Sequence, residues 1–224
     1  MSKLYLVATP IGNLEDITCR AIKILDNADI ILAEDTRKTT ILLNKYSIRK
    51  KLISFHKFNE HRVINKVIDL LNKGTSVALV SDAGTPGISD PGYLIVRECL
   101  KRNINIEALP GPTALIPALV VSGLPSDRFT FEGFLPVKKG RNQRLGELVS
   151  ENRTMIFYES PHRLIKTLTD LLKALGQDRK AVIARELTKI HEEIIHGTLG
   201  SLVKKIENKP VKGEIVLVVE GNRT

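Results

Sequence analysis

Short apolar runs rich in Leu, Val and Ile alternate along the chain with stretches whose apolar residues recur every three or four positions. The first pattern is typical of strands buried on both faces, and the second is typical of amphipathic helices. In the first half they predict strands at residues 3–9, 30–34, 51–55, 76–81 and 104–109, and helices at residues 18–27, 38–46, 62–72 and 93–102. This alternation predicts a doubly wound α/β unit.

A break in the pattern predicts a second domain. Residues 113–122 are predicted to form a further helix, and the Gly-Leu-Pro-Ser-Asp segment at residues 123–127 then interrupts the periodicity. We therefore divide the chain into an N-terminal domain of residues 1–121 and a C-terminal domain of residues 122–224. The C-terminal domain is predicted to be mixed α/β, with strands at residues 129–134, 154–158, 182–186, 193–197 and 215–220 and helices at residues 164–175 and 199–206.

The composition favours a soluble protein of a reducing compartment. Of the 224 residues 42% are hydrophobic, which is enough for a sizeable core, and Cys19 and Cys99 alone predict no disulfide framework. The N-terminus lacks the charged region and cleavage site of a signal peptide, and no apolar window reaches the length of a membrane span. We therefore expect a cytoplasmic protein with no membrane partner.

The balance of charge points towards a polyanionic partner. The chain carries 34 Lys and Arg against 25 Asp and Glu, a net charge of +9 that is spread over both halves. Such an excess is typical of proteins that bind nucleic acids, although many basic proteins bind none.

A glycine- and proline-rich loop gives the strongest chemical signal. Residues 81–92 read Ser-Asp-Ala-Gly-Thr-Pro-Gly-Ile-Ser-Asp-Pro-Gly and follow a predicted buried strand directly. Open α/β sheets bind ligands at the carboxyl ends of their strands, and glycines let the backbone approach a ligand closely. The alternative is a purely structural turn. Two further loops, at residues 9–14 and 109–114, follow other predicted strands, and the three together outline a cleft.

Charged residues lie at the same predicted edge. The second strand leads into Ala-Glu-Asp-Thr-Arg at residues 33–37. In one interpretation Asp35 or Thr36 caps the next helix and Arg37 pairs with a carboxylate. In the other, Arg37 contacts the substrate.

A second basic group lies beyond the predicted boundary and contains Lys138, Lys139, Arg141 and Arg144, with Arg163 further on. It is either a phosphate-binding surface or a solvated loop. No dinucleotide or P-loop glycine motif occurs in the chain. His191 and His196 are five positions apart, so they would miss a common helix face, and we predict no metal site.

The three loops in this order, with residues 33–37 and the Phe-Glu-Gly-Phe-Leu-Pro segment at residues 131–136, resemble the tetrapyrrole-methylase superfamily. Residues 81–92 are similar to the branch that methylates RNA of the small ribosomal subunit. The resemblance extends over residues 4–220 and implies a two-domain α/β enzyme that binds S-adenosylmethionine in the inter-domain cleft. It further implies a homodimer that 2'-O-methylates a decoding-centre cytidine of 16S rRNA, naked or within the small ribosomal subunit.

The resemblance also implies roles for particular residues. Cofactor contacts are expected from two groups of positions, which are Pro10, Asp82, Ala83, Gly84, Thr85, Ile88, Thr113 and Ala114 in the first domain and Phe157, Leu187, Gly213 and Ile215 in the second. From their charge, and not from the resemblance, we expect a second group of side chains to contact RNA phosphates, namely Arg37, Lys138, Lys139, Arg141, Arg144 and Arg163. Relatives in this branch continue into a small basic extension, so any RNA contact made there is expected to be absent or supplied elsewhere.

A general base would help the reaction, because a sugar hydroxyl is a very weak acid. An ordinary Asp is poorly matched to this task unless burial raises its pKa. The candidates are Asp82, Glu34 and Asp35, although Asp82 could equally hold backbone N–H groups. Two rival functions stay open: a methylase of a corrin or porphyrin precursor, and a non-catalytic RNA-binding assembly protein.

Overall fold

The computed structural model describes residues 3–209 and 211–222. The chain forms two compact units, with the division after Thr113. The division lies eight residues before the predicted boundary, which separates residues 121 and 122. The helix at Leu115–Ser122 belongs to the second unit because it packs on strands of that unit's sheet. Hydrophobic contacts, rather than the turn that follows this helix, therefore set the division.

The first unit is built on a parallel sheet. Its elements are β1 (Leu4–Leu6), α1 (Cys19–Asn27), β2 (Ile30–Ala33), α2 (Thr36–Lys45), β3 (Lys51–Ser54), α3 (Glu60–Asn72), β4 (Val77–Val80), α4 (Tyr93–Lys101) and β5 (Ile106–Ala108), with a short 3-10 turn at Leu14–Asp16. The strand order is β3-β2-β4-β1-β5, and every neighbouring pair is parallel. The predicted doubly wound α/β unit is thus confirmed. Because the strands are parallel, all of them end at the same edge of the sheet.

Helices cover both faces of this sheet, which explains the continuous apolar runs. One buried cluster joins the sheet to α1 and α2, and another joins it to α3 and α4. All residues of β2 and β4 are buried. Strands buried on both faces have no solvent side on which polar residues could alternate.

The second unit has a mixed sheet. Its elements are α5 (Leu115–Ser122), β6 (Phe129–Gly133), α6 (Arg141–Leu148), β7 (Thr154–Glu159), α7 (Pro161–Leu175), β8 (Lys180–Arg185), β9 (Glu193–Thr198), α8 (Leu199–Asn208) and β10 (Ile215–Val219). The strand order is β6-β7-β10-β8-β9, with β6 and β7 parallel and the other pairs antiparallel. The predicted mixed α/β organisation is confirmed. Within the described residues, no helix combines the length and apolar character needed to cross a bilayer.

One helix of this unit is missing from the sequence-based prediction. Residues of α6 were predicted only as a basic surface or loop. The helix carries just two leucines, Leu145 and Leu148, and both are buried. Two apolar residues in eight positions are too few to give a clear helical period.

Candidate active site

The segments that follow β1 and β4 are joined by a pair of reciprocal backbone hydrogen bonds. The N–H of Thr9 donates to the carbonyl of Gly84, and the N–H of Gly84 donates to the carbonyl of Thr9, both at 2.9 Å. The Thr9 hydroxyl also donates to the carbonyl of Ser81 at 3.1 Å. Gly84 has a φ of +80°, a conformation that costs a residue with a side chain about 1–2 kcal/mol. The loops at residues 9–14 and 81–92 therefore lie side by side in a fixed arrangement.

The third predicted loop packs against the same pair. The hydroxyl of Thr85 donates to the carbonyl of Pro112 at 3.1 Å. Gly111 lies so close to β1 that a Cβ at this position would come within 2.7 Å of the Cβ of Ala8. A glycine is therefore required here, and the three loops meet at the carboxyl edge of the sheet.

A cavity of about 200 Å³ opens between these loops and α2. It is lined by Thr9, Pro10, Leu14, Lys38, Thr39, Ile41, Leu42, Ser81 and Asp82. The lining thus combines the two bridged loops with one face of a helix, which is the usual place for a ligand in a doubly wound sheet. The predicted contacts Ala83, Gly84, Thr85, Ile88 and Thr113 lie in the adjoining loop residues of the same unit, whereas Ala114 is the N-terminal cap of α5.

Asp82 holds the turn between β2 and α2. Its carboxylate accepts the N–H of Asp35 at 2.9 Å and the ammonium group of Lys38 at 2.8 Å. Asp35 caps α2 by accepting the N–H of Arg37 at 2.9 Å and also pairs with its guanidinium at 2.7 Å. These bonds from Arg37 lower the pKa of Asp35, which makes Asp35 a poor proton acceptor at neutral pH. The capping interpretation of this segment therefore describes the local structure.

Two other carboxyl groups at this edge have raised pKa values. Burial raises the pKa of Glu34, and the nearby charge of Asp82 raises it further. Burial likewise raises the pKa of Asp90 to about 6, with Glu34 and Asp82 adding to the effect. Asp90 lies inside the loop at residues 81–92, but nothing in its sequence neighbourhood indicates burial, and no role was predicted for it. A carboxyl group that titrates near neutral pH is suited to general base catalysis.

The cofactor residues predicted in the second unit are mostly core residues. Phe157 and Ile215 are 0% and 3% exposed and belong to the hydrophobic cluster of that unit. Leu187 is buried just after β8. Gly213 has a φ of +94° and leaves room for the side chain of Glu186, with which a Cβ would overlap. In this unit the side chains of Phe157 and Ile215 are therefore committed to packing.

Arg141 does not face solvent, contrary to the prediction. Its side chain is only 6% exposed and donates to Asp170 at 2.8 Å, to the hydroxyl of Thr167 at 2.9 Å and to the carbonyl of Pro136 at 3.0 Å. The Thr167 hydroxyl in turn donates a hydrogen bond to the carboxylate of the buried Glu159 at 2.5 Å. This placement contradicts the predicted RNA contact of Arg141, because its guanidinium is used to fix α6 on α7.

The other predicted basic residues divide into paired and exposed groups. Arg144 bonds to Glu132 and Glu147, and Arg163 donates to the carbonyl of Leu135 at 2.6 Å. Lys138 and Lys139 are exposed in the loop before α6, and Arg37 is 89% exposed despite its pairing. Within residues 3–209 and 211–222, no group of three His, Cys, Asp or Glu side chains is arranged to hold a metal ion.

Comparison with known proteins shows which protein family the sequence matches. Residues 3–203 match the family described as Tetrapyrrole (Corrin/Porphyrin) Methylases. A ribosomal RNA small subunit methyltransferase I of Thermotoga maritima is 51% identical over 221 residues, covering 99% of both chains. The protein of that name from Escherichia coli O157:H7 is 51% identical over 99% of this chain and 78% of its own length.

A solved structure supports the fold independently. A uroporphyrin-III C-methyltransferase from Thermus thermophilus superposes with a TM-score of 0.69 at 20% identity, over 98% of this chain and 94% of that one. At this level of identity the likeness shows the fold alone.

Proposed function

The chain belongs to the tetrapyrrole (corrin/porphyrin) methylase family, and we propose that it is a methyltransferase acting on RNA of the small ribosomal subunit. The observation that carries the proposal is the 51% identity over 99% of both chains with a relative named for that activity. We further propose that the acceptor is the ribose 2'-hydroxyl of a decoding-centre cytidine in 16S rRNA.

S-adenosylmethionine is the methyl donor of this family, and when bound it supplies an electrophilic methyl group on a positively charged sulfonium. The carboxyl edge of the first sheet fits such a ligand. Its loops expose glycine backbone at Gly111, and its partly buried carboxyl groups Glu34 and Asp90 complement a positive charge. Pro10 and Asp82 line the adjoining cavity.

The carboxyl groups differ in how well they can accept a proton from the ribose hydroxyl. Asp35 is held in its charged form by Arg37, and Asp82 is occupied by Lys38 and a backbone N–H. Asp90 has a pKa of about 6, and that of Glu34 is also raised. We therefore assign the role of proton acceptor to Glu34 or Asp90, which keep enough basicity near neutral pH. Positioning of the acceptor oxygen would supply a further part of the rate.

Phosphate binding is assigned to side chains that remain exposed, namely Arg37, Lys138 and Lys139. The net charge of +9 supports a polyanionic substrate. We also propose a homodimer, for which the exposed apolar side chains Val120 and Val121 of α5 offer a surface. Sedimentation velocity of the purified protein would measure its oligomeric state.

The decisive experiment supplies the purified protein with labelled S-adenosylmethionine and one of three acceptors. These are small ribosomal subunits from cells that lack the protein, naked 16S rRNA, and a uroporphyrinogen or corrin precursor. We expect label in the RNA, recovered as 2'-O-methylcytidine by mass spectrometry of nucleosides. Label only in the tetrapyrrole would replace the proposal with the small-molecule activity. Cofactor binding without transfer to any acceptor would support a non-catalytic assembly role.

The matched control is Gly84→Val. The substitution places a β-branched side chain where φ is +80° and is designed to disturb the loop rather than the core. Loss of methylation with an unchanged circular dichroism spectrum would tie the activity to the loop and exclude a contaminating enzyme.

A further inference from the structure

An aromatic ring is exposed directly after β3, in the turn at residues 55–59. Phe58 is 84% exposed, although most large apolar side chains of this unit are buried. The turn that carries it is held firmly. The N–H of His56 donates to the side chain of Asn59 at 2.9 Å, and the amide of Asn59 donates to the carbonyl of Ser54 at 3.0 Å. The ring is therefore displayed by a fixed backbone.

The turn stands beside the candidate active site. Ala33, the last residue of β2, pairs with Ser54, the last residue of β3, and the N–H of Phe55 donates to the carbonyl of Ala33 at 2.8 Å. Glu34 and the turn therefore leave neighbouring strands at the same level. The Lys57 ammonium group is close enough to Glu34 to lower its pKa against the larger effect of burial.

The surroundings of the ring are cationic. The Lys57 ammonium nitrogen lies over the Phe58 ring, 4.9 Å from its centroid. His61 and Arg62 at the start of α3 are also exposed, and Glu60 is the one acidic residue among residues 55–62. An exposed aromatic face beside cations suits single-stranded nucleic acid, because a base stacks on the ring while the cations meet phosphates. An apolar protein partner would not need these charges.

We propose that Phe58 is a stacking platform for an unpaired base of the substrate RNA, at or next to the nucleotide that is methylated, with Lys57 held beside it for the phosphate backbone. The inference rests on the proposed RNA substrate and adds a positioning residue to it. Phe58 touches the substrate base but takes no part in the transfer itself. Phe58 therefore contributes to RNA binding and to the preference of the protein for an unpaired nucleotide.

Three substitutions at this position separate stacking from simple apolar contact. With small ribosomal subunits as acceptor, Phe58→Ala and Phe58→Leu should raise the KM for RNA roughly 10-fold, while Phe58→Trp should stay near the wild type, because stacking needs an aromatic face. S-adenosylmethionine affinity measured by calorimetry should not change in any of them. Leu100→Ala is the matched control, since Leu100 is 64% exposed near the end of α4. A wild-type KM in Phe58→Ala, or full activity in Phe58→Leu, would overturn the proposal.

A second readout does not depend on turnover. The chain contains no Trp, so Phe58→Trp introduces a single fluorophore at the platform. A cytidine hexanucleotide should quench its fluorescence, and a blunt duplex of the same length should not. Equal fluorescence with and without the hexanucleotide, at concentrations that saturate binding, would reject stacking. If the wild type methylates no ribosomal substrate, the proposed function fails, yet this measurement still decides whether the ring binds a base.

Discussion

The carboxyl group of Asp90 offers a quantitative test of the candidate site. Burial raises its pKa from 3.8 to about 6, and the charges of Glu34 and Asp82 act in the same direction. At a pH between these two pKa values, Asp90 keeps its proton in the folded protein and has lost it in the unfolded chain. The stability contributed by this proton is present at low pH and is lost as the pH rises through about 6.

The size of this loss of stability follows from the difference between the two pKa values of Asp90. About two pKa units at 1.36 kcal/mol each give an upper value of about 3 kcal/mol, and water reaching the half-buried carboxylate reduces it to between about 1 and 3 kcal/mol. Asp90→Asn removes the charge. Relative to the wild type, the variant should therefore gain this amount of unfolding free energy at pH 8 and almost none of it at pH 4.

Urea unfolding of the full chain, followed by circular dichroism at both pH values, measures the difference. Carboxyl groups distant from Asp90 titrate in wild type and variant alike, so they cancel in the comparison. Asp69→Asn is the matched control, because Asp69 is exposed on α3. A stability difference between Asp90→Asn and the wild type that is the same at pH 4 and pH 8 would refute the reasoning.

Three further predictions address the other features of the two units. Arg141→Ala should lower the unfolding free energy by about 3 kcal/mol, measured by urea unfolding, because it leaves buried polar partners without their cation. Gly111→Ala should weaken S-adenosylmethionine binding in calorimetry by 10-fold or more, since the new Cβ would lie 2.7 Å from that of Ala8 and push the loop aside; unchanged affinity would remove this loop from the cofactor site. The double variant Lys138→Glu and Lys139→Glu should weaken RNA binding in a filter assay and flatten its salt dependence by about 0.7–0.9 in log-log slope for each phosphate that the protein no longer neutralises, and wild-type binding would leave these lysines as a solvated loop.

The fold was predictable because its strongest signals come from burial on two faces. The runs that become β2 and β4 are entirely apolar, and helices with a clear three- and four-residue period cover both sides of them. Such patterns are dictated by the local sequence. The weak apolar period of α6 and the assignment of α5 to the second unit depend instead on contacts between distant residues, and here the sequence-based boundaries differ from the structure.

The loops of the candidate site were predictable from the sequence, whereas the burial and pairing of its charged side chains were not. Glycines and prolines mark the loops at residues 81–92 and 109–114 because a close backbone approach excludes other residues, as at Gly111. Whether a charged side chain is buried or paired cannot be read from its neighbours in the sequence. Arg141 looks like part of a basic surface and is a buried structural residue, whereas Asp90 looks like a loop residue and has a pKa of about 6.

The strand β10 lies at the centre of the second unit's sheet, between β7 and β8, and is antiparallel to both. Without β10 this strand order would leave two separate pairs, β6-β7 and β8-β9, and the unpaired edges of β7 and β8 could pair with other chains. This sheet therefore cannot be completed before Ile215–Val219 has been translated, so the strand that comes last in the sequence is the one that covers both open edges.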